Sequence, residues 1–127
     1  MQRPLDSSPV AGEHAPAIDL RHLSRYTLGN RTLDAEVLAL FAAQLPDTIL
    51  ALRCARGESD WRIAAHTLKG SARAVGAWRL AELAEQAERS GLPAAAADPG
   101  LLAAIASAAR QAEAFIVALA ADRQPGP

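Results

Sequence analysis

The sequence predicts an all-α protein in which a short N-terminal helix caps an up-down antiparallel four-helix bundle. Of the 127 residues, 50% are hydrophobic but only 4% are aromatic, and alanine supplies much of the apolar content. Alanine is the strongest helix former and suits closely packed helices. Apolar residues recur at helical spacing through four long segments, and no segment shows the β-branched alternation of a strand.

The length fits a single domain, which we expect to occupy residues 18–121. Residues 1–17 contain three prolines and no periodic apolar pattern, and residues 122–127 contain two more prolines. Both ends are therefore predicted to be disordered tails.

Charge and cysteine content narrow the class of protein. The formal net charge of −1 argues against the broad basic field that holds nucleic acid or an anionic membrane. The single cysteine, Cys54, excludes an internal disulfide, agrees with a reducing compartment and is predicted to pack inside a helix. Without a run of eighteen apolar residues or a signal-peptide pattern, we expect a soluble cytoplasmic protein.

The first two helices follow from apolar periodicity and turn signals. Residues 18–26 allow two helical turns with Leu23 and Tyr26 facing inward, and Gly29-Asn30 then turns the chain. Thr32 is predicted to cap a second helix that ends near Arg56, and Pro46 is predicted to bend or break this helix. Its predicted buried side comprises Leu33, Val37, Leu40, Phe41, Leu45, Thr48, Ile49 and Leu52.

The third helix has the most regular apolar stripe of the chain. Gly57 ends the second helix, and Glu58-Ser59-Asp60 is predicted to cap the third, which Gly76 either ends or kinks. The stripe advances in steps of four, three, four and three residues, and consists of Trp61, Ala65, Leu68, Ala72 and Val75.

Two further helices complete the bundle. One is predicted over residues 77–90, with Leu80, Leu83, Ala84 and Ala87 buried, followed by a linker over residues 91–97 that has room for a helical turn. Asp98-Pro99 then begins the last helix, with aspartate at the cap and proline at the first helical position. Its buried side is predicted to comprise Leu102, Ile105, Ala109, Ala112, Ile116 and Leu119.

His66 lies on the outer side of the third helix. At about 100° per residue it falls roughly 140° from the middle of the apolar stripe. Arg62, Lys69, Gly70 and Arg73 share its side, so the histidine has a basic, open setting. Lys69 is the only lysine in a chain with twelve arginines, and a lysine ammonium suits phosphate as a point charge. Nothing in the apolar pattern requires Gly70 to be small, so its expected use is to let another surface approach His66.

The segment His66-Thr67-Leu68-Lys69-Gly70-Ser71, with Gly76 ten positions after the histidine, resembles the H-x-L-K-G-[SA] signature of histidine-containing phosphotransfer (HPt) domains. The resemblance extends over residues 18–121, although only the segment 61–88 contains residues that are specific to the family. It implies a four-helix bundle in which His66 accepts a phosphoryl group and Lys69 stabilises its charge. Arg62, Gly70 and Arg73 would then contact the partner.

Glu88 is a candidate orienting residue for His66. If the third and fourth helices form a hairpin that turns near residue 77, Glu88 and His66 stand eleven positions on either side of the turn. On spacing alone, Glu88 either reaches the histidine or remains a solvated surface residue. HPt domains commonly have glutamate or glutamine at this place, so the resemblance implies a hydrogen bond to Nδ1 that leaves the lone pair on Nε2.

The resemblance also implies the partners. Aspartates of response-regulator receiver domains would donate and accept the phosphoryl group, a hybrid sensor histidine kinase would belong to the same relay, and the receiver would bind the required Mg²⁺. The chain itself needs no cofactor, and we expect a monomer. It has no Gly-rich nucleotide loop, no nucleophile elbow and no Cys/His metal cluster, so we expect no independent kinase activity. His14 and His22 lack metal-ligand partners at useful spacing and are expected to be solvated.

Two alternatives stay open on the sequence. The chain could be a non-catalytic helical adaptor that docks a partner through the His66 face. It could also be the phosphotransfer module of a larger sensor kinase, although Met1 and the proline-rich ends favour a separate small protein.

Overall fold

The structure is a computed structural model that describes residues 16–96 and 98–123. These residues form five helices and no strand, which confirms the all-α prediction for the described part of the chain. The helices are α1 (Leu20–Thr27), α2 (Arg31–Arg53), α3 (Glu58–Val75), α4 (Trp78–Ala96) and α5 (Pro99–Arg123). Most of the predicted tails, residues 1–15 and 124–127, lie outside the described residues.

The four longer helices pack in a ring around one core. Helix α3 lies between α2 and α4, and α5 packs against both α4 and α2. Helix α1 contacts α2 and α3. The largest fully buried side chains are those of Trp61, Ile18, Leu38, Leu45, Leu52, Leu68, Leu80 and Ile105.

Helix α1 begins later than predicted, and the side that it turns toward the core is not the predicted one. Asp19 caps it by accepting a hydrogen bond from the His22 amide at 3.3 Å. Leu23 is buried as predicted, but the predicted burial of Tyr26 is wrong, because its side chain is 72% exposed. Thr27 takes the inward position, where its hydroxyl donates to the buried Asp34 carboxylate at 2.5 Å.

The limits of α2 also correct the prediction. Asn30, not Thr32, is the cap, since its side chain accepts a hydrogen bond from the Leu33 amide at 3.0 Å. The helix continues through Pro46 and ends at Arg53, three residues before the predicted end. Cys54 follows it and is exposed, so its predicted packing role is wrong.

The buried face of α2 differs from the predicted one because this helix is apolar on several sides. Its buried residues are Asp34, Leu38, Phe41, Leu45 and Leu52. The predicted burial of Leu33 and Leu40 is wrong, since these side chains are 40% and 56% exposed. Both line an open apolar groove of about 400 Å³ between α2 and α3.

The turn between α3 and α4 is built on Gly76, as predicted. Gly76 adopts a left-handed conformation with φ of 80°, which ends α3. Its carbonyl accepts a hydrogen bond from the Asp19 amide at 2.9 Å, so the segment before α1 is held directly against this turn. A Cβ atom at Gly76 would lie 2.8 Å from the Asp19 carbonyl oxygen.

We therefore predict that Gly76→Ala lowers the free energy of unfolding by about 2 to 3 kcal/mol, because it combines left-handed strain with a backbone clash. The control is Gly70→Ala, where a Cβ atom would meet nothing within 4 Å and helix propensity improves stability by about 1 kcal/mol. Urea unfolding of the two variants measures both effects. Equal stabilities would contradict the described turn.

The limits of α3, α4 and α5 agree only partly with the prediction. Gly57 occupies the cap of α3 without a side-chain hydrogen bond, so the predicted caps from residues 58–60 are wrong, and Glu58 and Asp60 lie in the first turn. Gly91 interrupts α4 with φ of 74° at the start of the predicted linker, and helix then continues to Ala96, as the sequence allowed. Asp98 accepts from the Leu101 amide at the start of α5 as predicted, and α5 runs two residues beyond the predicted boundary.

Two helices in the described part of the chain, Arg31–Arg53 and Pro99–Asp122, are long and apolar enough to cross a membrane on length and composition alone. Core helices of soluble proteins meet the same criterion, so this finding is weak evidence for a membrane segment.

Candidate functional site

The apolar stripe of α3 positions His66 at the surface. All five predicted stripe residues are buried, and the Ala65 and Leu68 side chains on either side of His66 in the sequence are completely so. The His66 side chain, by contrast, is 67% exposed. The histidine therefore stands on a rigid helix face with its ring open to an approaching molecule.

Glu88 on α4 contacts both His66 and Lys69. One carboxylate oxygen, Oε2, lies 2.9 Å from His66 Nδ1, and the other, Oε1, lies 2.5 Å from Lys69 Nζ. The Glu88 and Lys69 side chains are only 20% and 16% exposed. The hairpin spacing allowed the contact with His66 and the resemblance to HPt domains implied it, whereas the pairing with Lys69 was not predicted.

These contacts fix the protonation of the site. Hydrogen bonds from Lys69 and then from His66 lower the pKa of Glu88 below its ordinary value of 4.5, so the carboxylate is ionised at neutral pH. An ionised carboxylate only accepts hydrogen bonds, and His66 Nδ1 must therefore donate. In the neutral ring, the lone pair then lies on Nε2, which is the nitrogen that Glu88 does not contact.

The other predicted site residues lie on the same face of α3, with partners of their own. Arg62 pairs with Glu58 at 3.2 Å, and Arg73 pairs with Glu85 at 3.3 Å. Both arginine side chains remain more than half exposed. Gly70 is exposed, and the space around its Cα is open, as the sequence predicted.

The apolar groove beside α3 was not predicted from the sequence. It runs along the flank of α3 that faces α2, and its lining includes Leu33, Leu40, Ser71 and Ala74. The exposed Ile63 lines a second groove of about 500 Å³ between the same two helices. The sequence signal that could have indicated these grooves is that α2 has more apolar residues than one buried face can hold.

His22, the other histidine among the described residues, does not form a second site there. His22 is half-buried, and its ring packs edge-on against Tyr26 and Trp78 with centroids 5.1 and 4.7 Å away, so it is less solvated than predicted. His14 lies outside the described residues. Among the residues described, no group of three or more histidine, cysteine or acidic side chains could hold a metal ion.

A comparison with protein-family models matches residues 36–115 to the Hpt domain, which is more than half of the chain. The chain therefore belongs to the Hpt domain family. Hpt domains are phosphocarrier modules of two-component phosphorelays, and they interact with response-regulator receivers and histidine kinases. Neither the curated proteins nor the solved structures gave a match.

Proposed function

We propose that this protein accepts a phosphoryl group on His66 from a receiver-domain aspartate and passes it to the aspartate of another receiver. The observation that supports this proposal is the contact of Glu88 with Nδ1 of a largely exposed His66. This contact leaves Nε2 as the nucleophilic atom on the solvent side. A surface used only for docking would not need a histidine with a defined tautomer.

The proposed transfer is an in-line displacement at phosphorus. The lone pair of Nε2 forms a bond to phosphorus while the bond between phosphorus and the aspartate oxygen breaks, and its electron pair leaves with the carboxylate. The Nδ1 proton stays in its hydrogen bond to Glu88, whose negative charge stabilises the positive ring that forms. The return step to a second receiver reverses these events.

Lys69 has a defined place in this scheme. Its ammonium group has three donors, so it can keep its bond to Glu88 Oε1 and offer a further proton to a phosphoryl oxygen. The pairing with Glu88 also holds the flexible lysine stem next to His66 before any phosphate arrives. We propose that Lys69 stabilises the added charge, while Mg²⁺ at the phosphoryl group is supplied by the receiver.

The architecture and setting follow from the same proposal. Because α2 to α5 are consecutive neighbours in a ring, an up-down antiparallel four-helix bundle fits them best. Arg62 and Arg73 would meet the receiver at the edge of the site, and the hybrid kinase would supply its phosphoryl group through such a receiver. We further propose that the protein acts as a cytoplasmic monomer, for which light scattering is the direct test of the oligomeric state.

We predict that Gly70→Gln weakens receiver docking without unfolding the protein. Gly70 lies one helical turn after His66 and opens onto solvent, so a long side chain there obstructs an approaching surface, while helix propensity improves. The Michaelis constant for a phosphorylated receiver should rise about tenfold or more, which is roughly 1.4 kcal/mol of lost binding. Gly57→Gln is the control, because Gly57 also has open space but lies at the far end of α3. Equal constants for wild type and Gly70→Gln would remove Gly70 from the docking surface.

A two-step transfer experiment tests the proposed function. A receiver from the same organism is phosphorylated with labelled acetyl phosphate, separated from the reagent and mixed with this protein. Acid-labile label should appear on this protein and then move to a second, unlabelled receiver. If none of the organism's receivers transferred label to this protein, the proposal would be contradicted.

A further inference from the structure

Trp61 makes a buried, directional contact between α3 and α4. Its indole is 1% exposed, and the Nε1–H group donates to the Ala87 carbonyl oxygen at 2.7 Å. Ala87 directly precedes Glu88, and Trp61 lies five residues before His66, which is about 7.5 Å along a helix. The hydrogen bond thus joins the two helices close to the site.

Alanine makes up about half of the buried residues on these two helices, beside larger side chains such as Leu68 and Leu80. The completely buried residues include Ala65 and Ala72 on α3 and Ala84 and Ala87 on α4. Small side chains make shallow ridges and grooves, so they resist the sliding of one helix along another less than large side chains do. The other polar contacts between α3 and α4 in the described part of the chain end on side chains, which can follow a shift by changing rotamer. A backbone carbonyl cannot adapt in this way.

The position of Ala87 in α4 explains why its carbonyl can accept this bond. Gly91, four residues later, leaves helical geometry, so Ala87 lies in the last turn before this break. A carbonyl oxygen has two lone pairs and can accept the indole N–H in addition to a helical amide. Gly91 also lies against Glu58 at the start of α3, since a Cβ atom there would be 3.3 Å from the Glu58 carboxylate. At this end of the helix pair, α3 and α4 are therefore joined in the core by the Trp61 hydrogen bond, and at the surface they meet where Gly91 lies against Glu58.

We propose that Trp61 is a positioning residue for His66, acting through Glu88. By holding the Ala87 carbonyl, the indole fixes the height and rotation of α4 against α3, which places the Glu88 carboxylate between His66 Nδ1 and Lys69 Nζ. The proposal rests on the proposed phosphoacceptor function for its consequence in catalysis. The structural claim itself, that Trp61 determines the tautomer of His66, does not require phosphotransfer.

The test is Trp61→Phe, which removes the N–H donor and keeps an aromatic side chain in the core. The ¹⁵N NMR spectrum of His66 should change from a predominant Nδ1–H tautomer to a mixture. Phosphoryl transfer from a labelled receiver should slow about tenfold, since displacements of about 1 Å at a reacting group cost up to a hundredfold. If circular dichroism shows that Trp61→Phe is unfolded, benzothienylalanine at position 61 replaces it, because this analogue keeps the bicyclic shape and lacks the N–H group.

The matched control is Trp78→Phe. Trp78 begins α4, at the end of that helix opposite to Ala87, and its indole N–H donates to the Asp19 carboxylate at 3.0 Å. This variant should leave the His66 spectrum and the transfer rate unchanged. A second control adds Trp61→Phe to Glu88→Ala, and the tautomer ratio should then shift no further than in Glu88→Ala alone.

Three results would overturn the proposal. They are an unchanged His66 spectrum in a folded variant at position 61, an equal change in Trp78→Phe, and a full additional shift in the Glu88→Ala background. Failure of the proposed function would look different, because wild-type protein would then take up no phosphate while the spectrum still responded to Trp61→Phe.

Discussion

His66→Gln is expected to abolish phosphoryl acceptance while leaving the fold intact. The imidazole is 67% exposed and contributes little packing, so the free energy of unfolding should change by less than about 0.5 kcal/mol. Glu88 keeps its bond to Lys69 in the variant and is not left without a partner. Thermal unfolding by circular dichroism measures the stability, and acid-labile label from a phosphorylated receiver measures the acceptance.

The matched control for this variant is His22→Gln. His22 is the other histidine in the described part of the chain. It lies on α1, and its ring packs against those of Tyr26 and Trp78. Its replacement should leave labelling at the wild-type level. Persistent labelling of His66→Gln, or its loss in His22→Gln, would show that the phosphoacceptor has been assigned to the wrong residue.

Lys69→Ala is expected to slow phosphoryl transfer on the order of tenfold or more. Buried donors that stabilise developing negative charge are worth about a hundredfold or more, and the effect is smaller here because the site is open to water. Folding should change less than transfer, since Glu88 retains its bond to His66 Nδ1. Rapid-quench measurement of transfer from a labelled receiver, with the unfolding midpoint in parallel, separates the two effects.

Arg79→Ala is the charge-matched control for Lys69→Ala. It removes one positive charge from an exposed position at the start of α4, away from His66, so it should leave the transfer rate within about twofold of wild type. If Arg79→Ala and Lys69→Ala slowed transfer equally, net charge would be responsible and Lys69 would have no specific role.

The sequence was most informative where only one helix face is apolar. The stripe of α3 has a clear period, so it placed all five buried residues and the outward direction of His66 correctly. Helix α2 is apolar on several sides, and periodicity then cannot identify the buried face. The errors at Leu33 and Leu40 follow from this ambiguity, as does the omission of Leu38 from the predicted core.

For contacts between helices, the sequence predicted only which residues lie at the same height along the helix axes. The hairpin spacing brought Glu88 level with His66, but spacing carries no information on how a carboxylate divides its two oxygens between His66 and Lys69. The hydrogen bond from Trp61 to Ala87 was equally hidden, because the stripe marks Trp61 as buried without showing the direction of its indole. These details depend on rotamers and helix register, which tertiary packing determines.

In the proposed phosphorylated state, His66 carries the phosphoryl group on Nε2 while Glu88 holds Nδ1–H. Its most direct test is NMR of ¹⁵N-histidine protein after phosphorylation by a receiver or by phosphoramidate, read through the coupling between phosphorus and the ring nitrogens. We predict a single phosphorylated histidine, His66, with phosphorus bonded to Nε2 and a proton retained on Nδ1. Phosphorus on Nδ1, or on a residue other than His66, would contradict it.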